Sequence, residues 1–285
     1  MSMWIIHALN GISFGMLLFL LASGLTLILG LMSITNLSHG GYYLLGAYIG
    51  VTVMMRTGNF FLAMLVSGIS IAIIGVLMER FFLRGLHLQP LPQVLLTIGF
   101  TFVFADIALM MWGGEARVIE KPAFLANPVF IGKIGFPSYR LFVILVGAAV
   151  GLLLWWLQER TRVGAMVRAA VNDEEIARGL GINVPLLFTL VFGLGAFLAG
   201  LCGVLGGPFI GVYPGADFEI LLLTLIVIIV GGVGSLKGAL MGSLLIGLID
   251  NFGKVLFPEL ARFTIYAPMV IILALKPSGL FGSRN

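Results

Sequence analysis

Apolar runs follow one another with few breaks from residue 9 to residue 275. A helix needs about 20 apolar residues to cross the roughly 30 Å hydrocarbon core of a bilayer. Runs of about that kind fall at 9–31, 41–55, 60–78, 94–112, 141–157, 186–206, 220–234, 239–249 and 263–275. The pattern predicts an all-α, polytopic integral membrane bundle of eight or nine transmembrane helices, some short or broken, in one domain over 1–285. The runs at 41–55 and 239–249 are short enough to be re-entrant or core helices instead of full spans.

Composition sharpens this picture. The 285 residues are 60% hydrophobic and 10% charged, against roughly 25% charged in an ordinary soluble domain, so lipid is the expected solvent for most of the surface. No stretch remains for a separate soluble domain. The formal charge of +4 is spread over short connectors, which suits lipid headgroups and excludes a nucleic-acid partner. Cys202 is the one cysteine, inside an apolar run; it reads as a small buried hydrophobe and rules out a disulfide framework or a cysteine metal cluster. The N-terminus lacks the basic segment and cleavage site of a signal peptide, so the first run is expected to be retained.

Lys and Arg favour cytoplasmic loops. The connector 158–185 carries Arg160, Arg162, Arg168 and Arg178, and the loop 81–92 carries Arg84 just after Arg80. Both are expected on the cytoplasmic side. The loop 113–139 then lies outside although it holds Arg117, Lys121 and Lys133. Nine spans would put the N-terminus outside and the tail inside; eight would put both on one side. Trp4, Trp112, Trp155 and Trp156 sit near run ends as interfacial anchors.

Candidate chemistry is sparse. Many of the 39 glycines lie within apolar runs, as in a closely packed bundle or in broken helices lining a cavity. Two segments bear on the second reading. In the first, Asn36, Ser38 and His39 precede Gly40 and Gly41, where a helix opening could present N–H groups to a solute, or the chain could simply turn at the interface. The second holds Gly231, Gly232 and Gly234. Asp106 is an ionisable group within a run and so a functional candidate by default; a hydrogen bond to a neighbouring helix or partner subunit is the plainer reading. His39 has no second ligand at metal spacing, so no metal site is expected. Asn36, Ser38, His39, Gly40, Gly41, Asp106, Gly231, Gly232 and Gly234 are the expected path residues.

The connector 158–185 is the most informative stretch. Asn172 is a good N-cap with Glu175 three residues on, Asp173 and Glu174 suit a positive helix end, and Gly179 or Gly181 would stop the helix. Ala169, Ala170, Ile176, Ala177 and Leu180 give an apolar side with charges between, as docking into a partner's groove requires.

This connector resembles the coupling loop of ABC importer permeases, through Ala169-Ala170, Gly179 or Gly181, Ile182 and Pro185. The stretch 24–48, GLTLILGLMSITNLSHGGYYLLGAY, resembles the early region of branched-chain amino acid ABC permeases, and 231–242, GGVGSLKGALMG, their late glycine-rich segment. The resemblance covers nearly the whole chain and matches the shorter permease of that transporter pair. It implies a second permease subunit, two cytoplasmic ATPase subunits, an extracytoplasmic solute-binding protein and a place in the bacterial cytoplasmic (inner) membrane. It also implies that Arg168, Ala169, Ala170, Asn172, Asp173, Glu174, Glu175, Arg178, Gly179 and Gly181 couple to the ATPase. The chain has no G-x-x-x-x-G-K-[ST] loop, so no cofactor is expected on it, and ATP and Mg would sit on the partner. Leu37-Ser-His-Gly40 stands where the family commonly has Phe-Ala-His-Gly. The solute is therefore a branched-chain amino acid by default, with related amide or carboxylate solutes open. The alternative is a secondary transporter or channel coupled through Asp106; paired catalytic residues for an intramembrane enzyme are lacking.

Overall fold

The computed structural model describes residues 2–32, 34–86, 89–131, 134–260 and 263–282; Lys133 and the end of the tail lie outside them. Each of the nine apolar runs is a helix: α1 (Ser2–Met32), α2 (His39–Thr57), α3 (Phe60–Met78), α4 (Pro90–Trp112), α5 (Ser138–Arg160), and, after two connector helices α6 (Arg162–Asn172) and α7 (Glu174–Gly179), α8 (Val184–Ile210), α9 (Ala216–Gly231), α10 (Leu236–Leu256) and α11 (Tyr266–Leu275). Six of them, α1, α3, α4, α5, α8 and α10, are long and apolar enough to cross a membrane by themselves. One antiparallel pair, β1 (Pro128–Ile131) and β2 (Ile134–Pro137), lies in the loop before α5.

The 31-residue α1 is apolar all round and is buried along most of its length, as a helix without a polar face must be. It runs antiparallel to α10: His7 meets Asn251 at 3.2 Å, Gly11 packs on Leu248, and Gly15 on Ser243 and Leu244. The end of α1, Leu27 and Leu31, packs beside Gln158 and Val167 of the connector. The N-terminus and the connector therefore lie at opposite ends of the bundle. The tail returns to the connector end, where Leu280 N–H donates to Val230 O and Phe281 N–H to Gly231 O, both at 2.9 Å. This fits nine crossings. The loop 81–92 shares the connector end through Arg84, which donates to Thr189 Oγ1 at 2.6 Å. The loop 113–139 lies opposite, where Arg117 and Val212 exchange backbone hydrogen bonds at 2.7 and 2.8 Å.

Between α1 and α2 the chain leaves the helix inside the bundle. His39 is fully buried at the start of α2, and its Nε2–H donates to Leu21 O at 3.0 Å, so α2 begins more than two turns short of the α1 terminus. The non-helical backbone of 35–37 needs hydrogen-bond partners at this depth, and α4 supplies them. Gln93 Oε1 accepts from Thr35 N–H at 3.2 Å, Thr97 Oγ1 accepts from Leu37 N–H at 3.1 Å, and Thr101 Oγ1 donates to Leu37 O at 3.2 Å. The three side chains stand four residues apart on one face of α4 and are fully buried.

Around this interior, α3, α4 and α5 turn apolar side chains outward, among them Leu65, Ile69 and Ile73 on α3, and Leu95, Phe102 and Met110 on α4, as lipid-facing helices do. In lipid no hydrophobic drive holds helix to helix, so close backbone approach matters more. The α2–α8 contact depends on it: a Cβ on Gly46 would meet Gly200 Cα at 2.5 Å and its carbonyl oxygen at 2.7 Å. Gly46→Val is expected to destabilise the fold by about 1–3 kcal/mol, read as a lower melting midpoint in detergent. Gly99→Ala, on the outer face of α4 with open space around it, should leave that midpoint unchanged.

Candidate functional site

The connector forms two helices where the sequence suggests one. Thr161 caps α6 by accepting from Gly164 N–H at 3.1 Å, and α6 runs to Asn172. The cap of α7 is Asp173, one residue beyond the expected Asn172: its backbone is extended, and its Oδ1 accepts from Ile176 N–H at 2.9 Å. Asn172 and Asp173 are both competent caps; the helical closure of α6 through Asp173 N–H to Ala169 O at 3.0 Å places Asn172 inside the helix. Gly181, at φ +85°, ends α7, with its N–H bonded to Arg178 O at 3.0 Å and Ile182 N–H to Ala177 O at 3.1 Å. This paired closure requires a left-handed residue, which settles the stop on Gly181 and leaves Gly179 within α7.

The apolar side of the connector divides. Ala170 and Ala177 are buried against the bundle, whereas Ile176 and Leu180 are 62% and 75% exposed. Ala169 is half-buried, and Arg168, Asn172, Asp173, Glu175, Arg178, Gly179 and Gly181 are exposed. Glu174 and Arg178 pair at 2.5 Å, one turn apart. The result is a short, rigidly capped helix presenting two aliphatic side chains among charges.

Behind α7 is a small pocket of about 140 Å³ shared by Glu174, Arg178, Glu79, Arg84 and Ile34. A single turn of π-helix, Glu79–Leu83, ends α3 and turns Glu79 inward, where it is 3% exposed. Arg84 donates to both Glu79 oxygens, at 3.2 and 3.1 Å, and Thr189 Oγ1 donates to Glu79 Oε2 at 2.7 Å. The buried charge is thus paired and hydrogen-bonded. The pocket adjoins the non-helical segment through Ile34.

The residues expected to line a path fall into three places. Asn36, Ser38, His39, Gly40 and Gly41 are buried at the opening of α2. There Ser38 N–H and Oγ–H donate to Asn36 Oδ1, at 3.1 and 2.6 Å, while Gly40 lies against the Asp217 backbone and Gly41 against Phe104. Gly231, Gly232 and Gly234 form the tight α9–α10 turn at the connector end, with φ of +104° at Gly232 and +80° at Gly234, packed on Gly238, Gly282 and Gly30 respectively. Asp106 is exposed on the outer face of α4. None of them lines the large cleft described next.

That cleft, about 840 Å³, opens at the end opposite the connector and is bounded by α1, α5, α9 and α10 with the end of α8. Its polar lining comes from Asn10, Arg140, Glu219, Asp250, Asn251 and Lys254, and its floor from Phe14 and Phe209, which stack at 6.4 Å. Arg140 lies 4.9 Å over Phe209 and Lys254 lies 5.8 Å over Phe14. Toward the connector, the same face of α1, α5 and α10 continues as an apolar groove of about 500 Å³ walled by Met16, Phe19, Gly147, Gly151, Leu240 and Leu244. One face of the chain is therefore polar in its outer half and apolar in its inner half. None of the cleft's polar residues is among those expected from the sequence, although Asp250 directly follows the apolar run 239–249. The spacing of Asp250 and Lys254, one helical turn apart, was the available signal.

The family profile described as branched-chain amino acid transport system / permease component matches residues 7–273. The high-affinity branched-chain amino acid transport system permease protein BraD of Pseudomonas aeruginosa is 28% identical over 96% of this chain and 94% of its own length. LivH of Escherichia coli, a permease protein of the same description, is 25% identical over the same shares. The D-allose transport system permease protein AlsC of Escherichia coli is 27% identical over 76% of this chain and 66% of its own. A solved structure, PsaBC from Streptococcus pneumoniae in complex with Fab, aligns with a TM-score of 0.50 over 93% of this chain and 89% of that one at 15% identity, a likeness of fold alone.

Loss of the Asp173 cap should loosen α7 locally. Asp173→Ala is expected to cost about 1 kcal/mol of helix stability, read as roughly fivefold faster hydrogen exchange at the α7 amides with α8 unchanged.

Proposed function

Because this multi-pass membrane protein belongs to the branched-chain amino acid transport system permease family, we propose that it is the membrane-spanning permease subunit of an ATP-binding-cassette importer in the bacterial cytoplasmic membrane. It carries branched-chain amino acids or related small polar, amide or carboxylate solutes. Its partners in this reading are a second, longer permease, two cytoplasmic ATPase subunits holding ATP and Mg, and an extracytoplasmic solute-binding protein. The observation that carries the reading is α7: capped at both ends and displaying Ile176 and Leu180 among charged residues, it offers a rigid surface to a groove on another protein.

The connector end then faces the cytoplasm and the cleft faces outward. The second permease covers the open face of α1, α5 and α10, enclosing a path between the two chains. Solute released by the binding protein enters the polar outer cleft. The apolar groove beneath it is the barrier, because a charged solute there would lose its hydration with no partner in exchange. ATP-driven closure of the ATPases moves α7, and the shift is passed to the α3 end and the 34–38 segment through the pocket shared by Glu174, Arg178, Glu79 and Ile34. Asp106, exposed on α4, is poorly placed for the ion coupling that a secondary transporter would need.

Charge reversal at Glu174 and Glu175 tests the reading. The double change Glu174→Arg, Glu175→Arg should leave membrane insertion intact yet remove co-purification of the ATPase and reduce uptake at least tenfold. Full uptake by that variant, or uptake in liposomes without ATP, would overturn the importer assignment.

A further inference from the structure

The corner where α5 meets α6 gathers positive charge that the protein leaves unneutralised. Over residues 158–172 three arginines, Arg160, Arg162 and Arg168, stand against one acid, Glu159. None of the three makes an ion pair among the described residues. Arg168 folds back onto α5 and donates to Gln158 O, so its charge sits at the negative end of that helix. Arg160 and Arg162 are exposed and have no such carbonyl to serve.

The same corner marks the edge of the hydrocarbon. Leu145, Ala149, Leu153, Trp156 and Arg160 follow one another three or four residues apart on α5, and all are exposed. One lipid-facing stripe therefore ends in an indole and then a guanidinium. Arg160 also lies 6.0 Å over the Trp155 ring, a contact that keeps a long cation at headgroup depth. Helix α6 is amphipathic: Val163, Val167 and Val171 stand one turn apart on its apolar side, with Val167 buried on the bundle and the other two exposed. Basic helices of this kind lie in the plane of the membrane interface. Beside α6 an apolar crevice of about 100 Å³ runs between the ends of α1, α5, α6 and α8, and two of its lining residues, Val163 and Leu190, are themselves exposed. Unpaired arginines at headgroup depth next to an apolar crevice match a molecule with an anionic head and a hydrocarbon tail.

We propose that the α5–α6 corner binds an anionic phospholipid of the cytoplasmic leaflet, and that this lipid steadies the connector. Its phosphate meets Arg160 and Arg162, and an acyl chain rests along Val163 and Leu190. Helix α6 passes straight into α7: Asp173 N–H closes α6 on Ala169 O, while the Asp173 side chain caps α7. No loop separates the lipid-bound helix from the one that displays Ile176 and Leu180, so the charge of the inner leaflet governs how firmly α7 is presented. From the permease reading the proposal takes only the cytoplasmic placing of the connector and the docking role of α7.

Lipid binding is measured by native mass spectrometry of the full chain in mild detergent, titrated with phosphatidylglycerol and with phosphatidylcholine of the same acyl chains. Phosphatidylglycerol should bind at least about tenfold more tightly. Arg160→Gln and Arg162→Gln should each weaken it about fivefold and leave phosphatidylcholine unchanged, whereas Arg160→Lys and Arg162→Lys should retain most of the preference. Arg56→Gln, at an exposed arginine of α2 at the opposite end of the bundle, should change nothing. In nanodiscs, the α6 amides should exchange hydrogen more slowly with phosphatidylglycerol present than with phosphatidylcholine alone, and the double change Arg160→Gln, Arg162→Gln should abolish the difference. Equal binding of the two lipids, or a loss at Arg56→Gln as large as at Arg160→Gln, overturns the site. Displacement of phosphatidylglycerol by millimolar glycerol phosphate, a head without tails, does the same by reducing it to an anion site. The importer assignment stands apart: ATP-independent uptake by the assembled transporter defeats that assignment and leaves the lipid preferences to be decided by their own titrations.

Discussion

A backbone that leaves the helix within a bilayer must take its hydrogen bonds from other parts of the protein. Here the debt at residues 35–37 is met by Gln93, Thr97 and Thr101 of α4. Because that segment is satisfied, α1 can run its full 31 residues and α2 can start deep in the bundle. The buried opening of α2, with His39 held by the α1 backbone, then packs between α1, α4 and α9. The glycine-mediated contact of α2 with α8 completes the core around which the lipid-facing helices stand.

The connector lies beside this arrangement. The pocket behind α7 joins charged residues of the connector to Glu79 and to Ile34, beside the non-helical segment. A buried carboxylate held by Arg84 and Thr189 is stiff: its bonds are charge-assisted and it has little room to rearrange piecemeal. The outward cleft lies on a different face, built from α1, α5, α9 and α10 with the end of α8.

The length and hydropathy of the apolar runs were enough to locate the nine apolar helices, six of them long enough to cross a membrane by themselves, since both properties are set locally. The connector was legible for the same reason: caps such as Asp173 and stops such as Gly181 act within a few residues, and the one-residue error at Asn172 arose because two adjacent side chains can both cap. The cleft was not legible. Asn10, Arg140, Glu219 and Asp250 come from four separate helices, and nothing local to any of them reveals that they converge. Asp106 was misleading in the opposite sense, because a carboxylate inside an apolar run does not tell which face of the helix carries it. The same limit hid the α4 ladder, whose glutamine and threonines are unremarkable until the segment they serve is in view.

The ladder also constrains how the bundle can move. Four residues of α-helix rise about 6 Å, so the side chains at 93, 97 and 101 form one column along the non-helical segment, Gln93 on Thr35 and both threonines on Leu37. An axial slide of α4 by one, two or three residues would present apolar side chains to bare peptide groups; only a step of four restores polar against polar. Helix α4 is in this sense indexed to its neighbour like a toothed rack, free to tilt with the segment it holds but barred from gliding past it.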